Sequence, residues 1–349
     1  MVTGHSTTGK QDTEKKMTDS EKSMGVLLGH LENLANQSLS LWEVPDDASA
    51  RLINVSENAT YLVEGSHWKS ILRIHRENYH SHRAIECELE WSKALTSEGR
   101  VITPDFYTGR NGDPIQSGVV EGLPSPRYMV MFHFVEGQQP DEGQDLVRPF
   151  EELGQIAAIT HLHSIQWHRP EPFERLVWNL DTVFGARPTW GNWRDGPNVT
   201  PEIRKVLEQV ENTVTARLTD FGAAPGRYGL IHADMRLANL LIDGTGTRLI
   251  DFDDCGLGWY LYDFAASISF MEDSAQVPAL KESWVRGYRR IRALPEEDVR
   301  EIDTFIMLRR LALLAWIGSH IEAPEPRELA PHFARVSAEL GSAYLAGHG

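Results

Sequence analysis

Asp234 lies two residues after His232 and five before Asn239, in the run Leu230-Ile-His-Ala-Asp-Met-Arg-Leu-Ala-Asn239. A second carboxylate, Asp251, opens the run Asp-Phe-Asp-Asp254 about a dozen residues further on. These residue types suit one kind of chemistry. A lone carboxylate can orient a hydroxyl and take its proton late in a reaction. An amide oxygen and a second carboxylate are hard oxygen ligands, and Mg²⁺ takes few of these from protein, leaving the rest to phosphates and water. Phosphoryl transfer asks the protein mainly for positioning and charge neutralisation. The pattern therefore points to Asp234 as the hydroxyl-orienting base, and to Asn239 and Asp251 as the ligands that hold Mg²⁺ against nucleotide phosphates. The competing reading is an accidental His-Asp-Asn loop beside a hairpin. Both halves in order at this separation weigh against it.

The elements around these residues must bring them together. Leu240–Asp243 reads as a strand, Gly244-Thr-Gly246 as a turn and Arg248–Ile250 as the returning strand. A hairpin of that length carries Asp251 back beside Asn239. Upstream, Arg51–Val55, Thr60–Glu64 and Ser70–His75 read as three strands, Ser81–Leu95 as a helix with Ile85 and Leu89 inward, and Tyr128–Val135 as a buried strand. Downstream the chain reads as mainly helical, with helices over Leu146–Trp167, Pro201–Thr219, Tyr262–Met271, Ser274–Ile291 and Pro295–Ile317. Asp181–Asn198, rich in Gly, Pro and Trp, reads as a loop over the cleft.

Composition sets outer bounds. The 349 residues allow one large domain or two lobes around a cleft. With 50 Asp and Glu against 34 Lys and Arg, no broad basic surface is available for nucleic acid. No apolar run approaches the roughly 18 residues of a membrane-spanning helix, and no apolar signal core follows the N-terminus, so a cytoplasmic location is expected. The two cysteines, Cys87 and Cys255, form no disulfide framework. His75, His80 and His82 cluster before a helix without a convincing fourth ligand, so a solvated helix start is preferred to a metal site. The expected organisation is a disordered tail over 1–24, an N-terminal helical extension over 25–48, a sheet-bearing lobe over 49–136 and a helical lobe over 137–349.

The motifs quoted above resemble those of the aminoglycoside phosphotransferase and choline kinase-like family. The run from Asp251 to Ala265 is most similar to the branch with homoserine kinase type II, hydroxylysine kinase and the bacterial stress-response kinase. The resemblance spans roughly residues 50 to 320. It implies an α+β, protein-kinase-like two-lobed fold, with a small antiparallel-sheet N-lobe, a mainly helical C-lobe and ATP in the cleft. It also implies roles for particular residues. Arg73 matches the basic residue that pairs with the α- and β-phosphates, and Glu88 the helix acid that orients it. Val55–Thr60 matches the phosphate-covering loop; it has no glycine, and Ser56, Asn58 and Thr60 are its candidate phosphate donors, with an ordinary hairpin turn as the alternative. Met131–Val135 matches the hinge that binds adenine, so Phe132 and Phe134 either border the base or fill core. Asp263 matches a residue that braces the catalytic loop.

Two departures bear on the acceptor. The usual His-Gly-Asp-x-His-x-x-Asn is His-Ala-Asp-Met-Arg-Leu-Ala-Asn here, which places Arg236 two residues after the base. Arg236 either stabilises developing phosphoryl charge or pairs with a surface acid. Asp253 and Asp254 either bind an amine or a second Mg²⁺, or cap a turn. Trp259 and Trp316 either line a cation–π cage or fill core. Only about ten residues separate Asp251 from the helix at Tyr262, too few for a protein kinase activation segment. An ATP-dependent kinase acting on the hydroxyl of an amino acid, amino alcohol or aminoglycoside-like molecule is therefore expected. A serine/threonine protein kinase of the stress-response type and a non-catalytic nucleotide-binding module are the alternatives.

Overall fold

A computed structural model describes residues 19–98, 101–244 and 246–348. The N-terminal helix α1 spans Asp19–Ser38. The tail expected over 1–24 therefore falls mostly outside the described residues, while residues 19–24 already belong to α1. The helix is anchored downstream, where Leu31, Leu34 and Ala35 are buried against the sheet, and it runs outward from that anchor.

The N-lobe sheet follows. Strands β1 (Ser49–Val55), β2 (Ala59–Gly65) and β3 (Trp68–Ile74) form an antiparallel meander. Helix α2 (His82–Ser97) begins at Ser81, whose side chain accepts the Ala84 N–H. The short strands β4 (Phe106–Tyr107) and β5 (Ile115–Gly118) share one edge of β6 (Arg127–His133), which pairs on its other edge with β3. Alternation along β2 buries Ala59, Tyr61 and Val63 towards α1.

The C-lobe is helical around a few short strands. Helix α3 (Val147–Gln166) leads to β7 (Leu176–Trp178), α4 (Leu180–Phe184) and α5 (Pro201–Phe221). Strand β8 (Tyr228–Ile231) precedes the catalytic loop, and the hairpin β9 (Leu240–Asp243) and β10 (Gly246–Leu249) follows it. Strand β11 (Gly256–Trp259) lies between β7 and β8, parallel to the first and antiparallel to the second. Helices α6 (Tyr262–Ser267), α7 (Val277–Arg289), α8 (Glu296–Val299), α9 (Ile302–Ser319) and α10 (Pro324–His348) complete the lobe. The largest core belongs to this lobe and includes Trp178, Trp193, Trp259, Trp284 and Trp316.

Three expectations are corrected. The helix read over Pro295–Ile317 is two, α8 and α9, with a break at residues 300–301. The segment 181–198 is not an open loop over the cleft. It contains most of α4 and buries Trp190 and Trp193 in the C-lobe core, because two indoles lose more by facing water than the irregular backbone costs to order. The helix ending at Met271 stops at Ser267, and Phe270 turns the chain with a φ of +73°.

Candidate active site

The catalytic loop is held by the residues behind it. Asp263, fully buried on α6, accepts the His232 N–H at 3.2 Å and the Ala233 N–H at 2.6 Å. The same carboxylate meets His161 Nε2 at 2.9 Å, and Tyr288 OH lies 2.9 Å from the other ring nitrogen. Ala233 adopts the left-handed conformation, φ +67°, at the position where the resemblance has glycine. His232 is buried; its Nε2 lies 3.2 Å from Ile250 O and its Nδ1 accepts the Asp234 N–H. Burial holds its imidazole below the usual range, although Asp263 and Asp234 pull the other way.

Asp234 emerges from this frame with both oxygens engaged. Asn239 Nδ2 donates to Asp234 Oδ2 at 2.7 Å and to the Asp234 carbonyl at 2.9 Å. Arg309 Nη2 donates to Asp234 Oδ1 at 2.7 Å. The hairpin performs the expected return: Ile250 N–H donates to Asn239 O at 3.0 Å, and the next residue is Asp251. Asp251 has φ +61°, which turns its side chain into the cleft, where it is 47% exposed. Enclosure in the cleft raises its carboxyl above the usual range. Arg73 opposes that rise, and the neighbouring Asp253, Glu88 and Asp234 add to it.

Arg73 and Glu88 form the clamp expected of them. Arg73 Nη2 meets Glu88 Oε1 at 2.6 Å, both side chains buried, and Arg73 Nη1 lies 3.3 Å from Asp251. These residues close the inner end of a cavity of about 250 Å³ between the lobes. Ile53, Ile71, Leu241 and Ile250 supply apolar walls. Phe132 and Phe134 also line it, with Lys69 Nζ 5.3 Å from the Phe134 ring and the Arg73 guanidinium 4.9 Å from that of Phe132. An apolar slot that ends in a cation and a carboxylate matches a purine with its phosphates pointing inward.

Asn58 does not join this group. Its Nδ2 donates to Asp253 Oδ2 at 2.7 Å and its Oδ1 accepts the Arg76 N–H at 3.0 Å. Both ends of the amide are taken up within the protein, so Asn58 braces the loop after Asp251 instead of facing a phosphate. Asp253 is likewise enclosed, with His80 Nε2 at 3.4 Å, His75 Nδ1 at 3.6 Å and Arg73 Nη1 at 3.7 Å. Burial alone would raise its carboxyl; His80 and Arg73 instead hold it well below the usual range. It is not available to an amine. His75 and His80 thus serve Asp253 and are buried, contrary to the solvated helix start expected of them, while His82 pairs with Glu86 at 3.3 Å on the surface of α2. Among the described residues no group of three or more His, Cys, Asp or Glu side chains is arranged to hold a metal.

A second group of acidic and aromatic side chains adjoins Asp234. Asp254 accepts the Tyr79 hydroxyl at 2.9 Å. Glu57, at the tip of the β1–β2 loop, crosses to the C-lobe and accepts the Trp316 indole N–H. Burial pushes the Asp254 carboxyl well above its usual range, and Glu57 and Asp234 push it further. Arg236 stands beside this group: Nη1 meets Glu325 at 2.5 Å, Nε lies 3.6 Å from Asp234, and the guanidinium sits 5.6 Å from the Phe270 ring. Of the two alternatives read for Arg236, the structure displays the pairing with an acid, at the start of α10. Trp259 packs with Phe305 in the core, away from this group, whereas Trp316 belongs to it through Glu57.

Arg309, Arg175, Glu57 and Tyr79 were not singled out from the sequence. Arg175 is buried and donates to the carbonyls of Ala84, Phe252, Asp253 and Cys255, tying the loop after Asp251 to α2. The one available signal was the Arg309-Arg310 pair inside an otherwise apolar stretch of α9.

The chain belongs to the phosphotransferase enzyme family: the family model matches residues 49–294. It is similar to a solved microcompartment-associated aminopropanol kinase, with 42% identity and a TM-score of 0.82, over 90% of this chain and 97% of that one. Amicoumacin kinase of Bacillus subtilis (strain 168) is 22% identical over 274 residues, 75% of this chain and 78% of its own length. The amicoumacin kinase hAmiN, solved with AMP-PNP, Ca²⁺ and Ami, has the same fold at 16% identity and a TM-score of 0.68, over 92% and 94% of the two chains. The protein is accordingly an α+β enzyme of two-lobed, kinase-like fold that phosphorylates a hydroxyl of a small molecule. No helix among the described residues is long and apolar enough to cross a membrane.

Proposed function

We propose that the enzyme transfers the γ-phosphoryl group of Mg²⁺-ATP to the hydroxyl of a short amino alcohol. The observation that carries this reading is the cluster beside Asp234, where the carboxylates of Glu57 and Asp254 stand among Tyr79 and Trp316. An ammonium group bound there relieves the repulsion between the carboxylates and gains the aromatic faces. A short carbon chain then sets the acceptor hydroxyl near Asp234. The 42% identity to an aminopropanol kinase supports the same class.

Asp234 orients the hydroxyl towards the γ-phosphorus and takes its proton as the new O–P bond forms. The bond from the γ-phosphorus to the β–γ bridging oxygen breaks, and ADP leaves. Arg73, held by Glu88, binds the α- and β-phosphates, and Phe132 and Phe134 flank the base. Asn239 and Asp251 suit Mg²⁺: Asn239 Oδ1 accepts no hydrogen bond among the described residues, and the Asp251 carboxylate opens onto the cleft. When bound there, the metal neutralises phosphate charge. Arg236 stands where it can offset charge on the transferring group.

The test is ADP release with Mg²⁺-ATP and three acceptors: an aminopropanol, ethanolamine and the neutral 1,2-propanediol. Turnover is expected on the amines, with Asp234→Asn slower by roughly 10²- to 10⁴-fold. Equal turnover of the diol would remove the amine from the proposal. Phosphate appearing on a protein and on none of the small acceptors would favour a protein kinase of the stress-response type.

A further inference from the structure

Helix α9 is apolar around nearly its whole circumference, yet it carries two adjacent arginines that are each 2% exposed. Burying a guanidinium is costly unless its donors are met and its charge is paired. Both arginines satisfy that condition, in different places. Arg310 serves the helical lobe alone: it pairs with Glu272 and donates to Ser337 Oγ at 2.8 Å and Phe333 O at 3.3 Å. Arg309 reaches the catalytic loop. Its Nη2 donates to Asp234 Oδ1 at 2.7 Å, and its Nη1 to Ala233 O at 3.2 Å and to Tyr262 OH at 3.3 Å. Its Nε donates to Ser269 Oγ at 3.2 Å, and the guanidinium lies 5.1 Å from the Trp190 ring.

We infer that Arg309 is a positioning residue for phosphoryl transfer, fixing the rotation of the Asp234 carboxylate from below while Asn239 fixes it from the side. The inference rests on the reading of Asp234 as the hydroxyl-orienting group. A carboxylate held by one donor can swing about its χ angles. Held at Oδ1 by Arg309 and at Oδ2 by Asn239, it presents its remaining lone pairs in one direction only. Arg309 also grips the carbonyl one residue upstream, so side chain and backbone are set by the same planar group. A lysine cannot reproduce this, because a single ammonium does not span a carboxylate and a carbonyl with fixed fork geometry. Positioning errors near 1 Å cost on the order of 10²-fold in rate.

Arg310 supplies an internal control, since it shares helix, burial and chemistry with Arg309 but touches nothing in the catalytic loop. Arg309→Lys, Arg309→Met, Arg310→Lys and Asp234→Asn are compared by steady-state kinetics with Mg²⁺-ATP and an aminopropanol, by ADP affinity in calorimetry and by thermal unfolding. Where aminopropanol is not turned over, slow ATP hydrolysis, in which water replaces the alcohol, serves as the readout. Arg309→Lys is expected to lose at least tenfold in kcat, and Arg309→Met roughly 100-fold. Acceptor KM and ADP affinity are expected to stay within about twofold of wild type, and Arg310→Lys to keep its kcat. Wild-type kcat in Arg309→Lys, with Asp234→Asn inactive, would overturn the role of Arg309 alone. Matching losses in Arg309→Lys and Arg310→Lys would reduce Arg309 to a structural residue. Wild-type kcat in Asp234→Asn would instead overturn the reading of Asp234. Arg309→Lys carries the test by itself if Arg309→Met does not fold.

Discussion

Glu57 belongs to the loop that resemblance assigns to phosphates, but its carboxylate meets Trp316 and lies 3.8 Å from His320 Nε2 on the far side of the cleft. With Asp254 it is the proposed seat of the acceptor amine. A charge-assisted hydrogen bond contributes about 1.5–3 kcal/mol. Glu57→Gln and Asp254→Asn should therefore each raise the KM for an aminopropanol by roughly 10- to 100-fold, while ADP affinity holds. Saturation kinetics check this, and an equal rise for 1,2-propanediol would sink the assignment. The residues legible from sequence were those whose partners are close in the chain. Asp234, Asn239 and Asp251 belong to one loop and one hairpin, so spacing alone brings them together. Asn58 was misjudged because its partner, Asp253, is 195 residues away. Arg309 was missed because it reaches Asp234 across 75 residues of intervening chain. A local pattern carries no record of such contacts.

Among the elements, α3 and α7 cross closely, and each offers a glycine at the crossing. A Cβ on Gly154 would strike the Trp284 carbonyl, and one on Gly287 the Glu151 carbonyl. Both obstacles are backbone and cannot rotate away. Gly287→Ala should destabilise the protein by about 1–3 kcal/mol, as overpacking does. A lower unfolding midpoint, with kcat retained at 25 °C, is the expected result. An unchanged midpoint would mean that the two helices slide apart freely. The helices α2, α3 and α5 and strand β2 were readable because each alternates between a dry face and a wetter one, and β3 and β6 because each is a short, largely apolar run. The break between α8 and α9 was hidden because α9 is apolar all round and presents no stripe whose phase could shift. Strands β4, β5, β7, β8 and β11 are two to four residues long and exist only through their pairing, which no window of sequence displays.

At the scale of the whole molecule, the two lobes are joined by more than the hinge. Gln138 and Ile242 exchange two backbone hydrogen bonds of 2.9 Å, which fasten the segment after β6 to the β9–β10 hairpin. Arg175 fastens the loop after Asp251 to α2, and Asn58 fastens it to the β1–β2 loop. The reach of Glu57 across the cleft has a thermodynamic meaning. The strands that carry this loop line the nucleotide cavity at Ile53 and Thr60, and the loop itself supplies Glu57 to the proposed amine site, so binding of either ligand is expected to alter the free energy of binding the other. Linkage makes that influence mutual: whatever factor the amine adds to nucleotide affinity, the nucleotide must add to amine affinity. Couplings of this kind run from about 5- to 150-fold. Calorimetry of ADP with and without saturating aminopropanol reads the factor directly, and Glu57→Gln should bring it towards one. Equal affinities in wild type would mean that the two lobes respond to their ligands independently. With the coupling present, the enzyme holds nucleotide loosely until an acceptor arrives, and water has little chance to take the phosphate first.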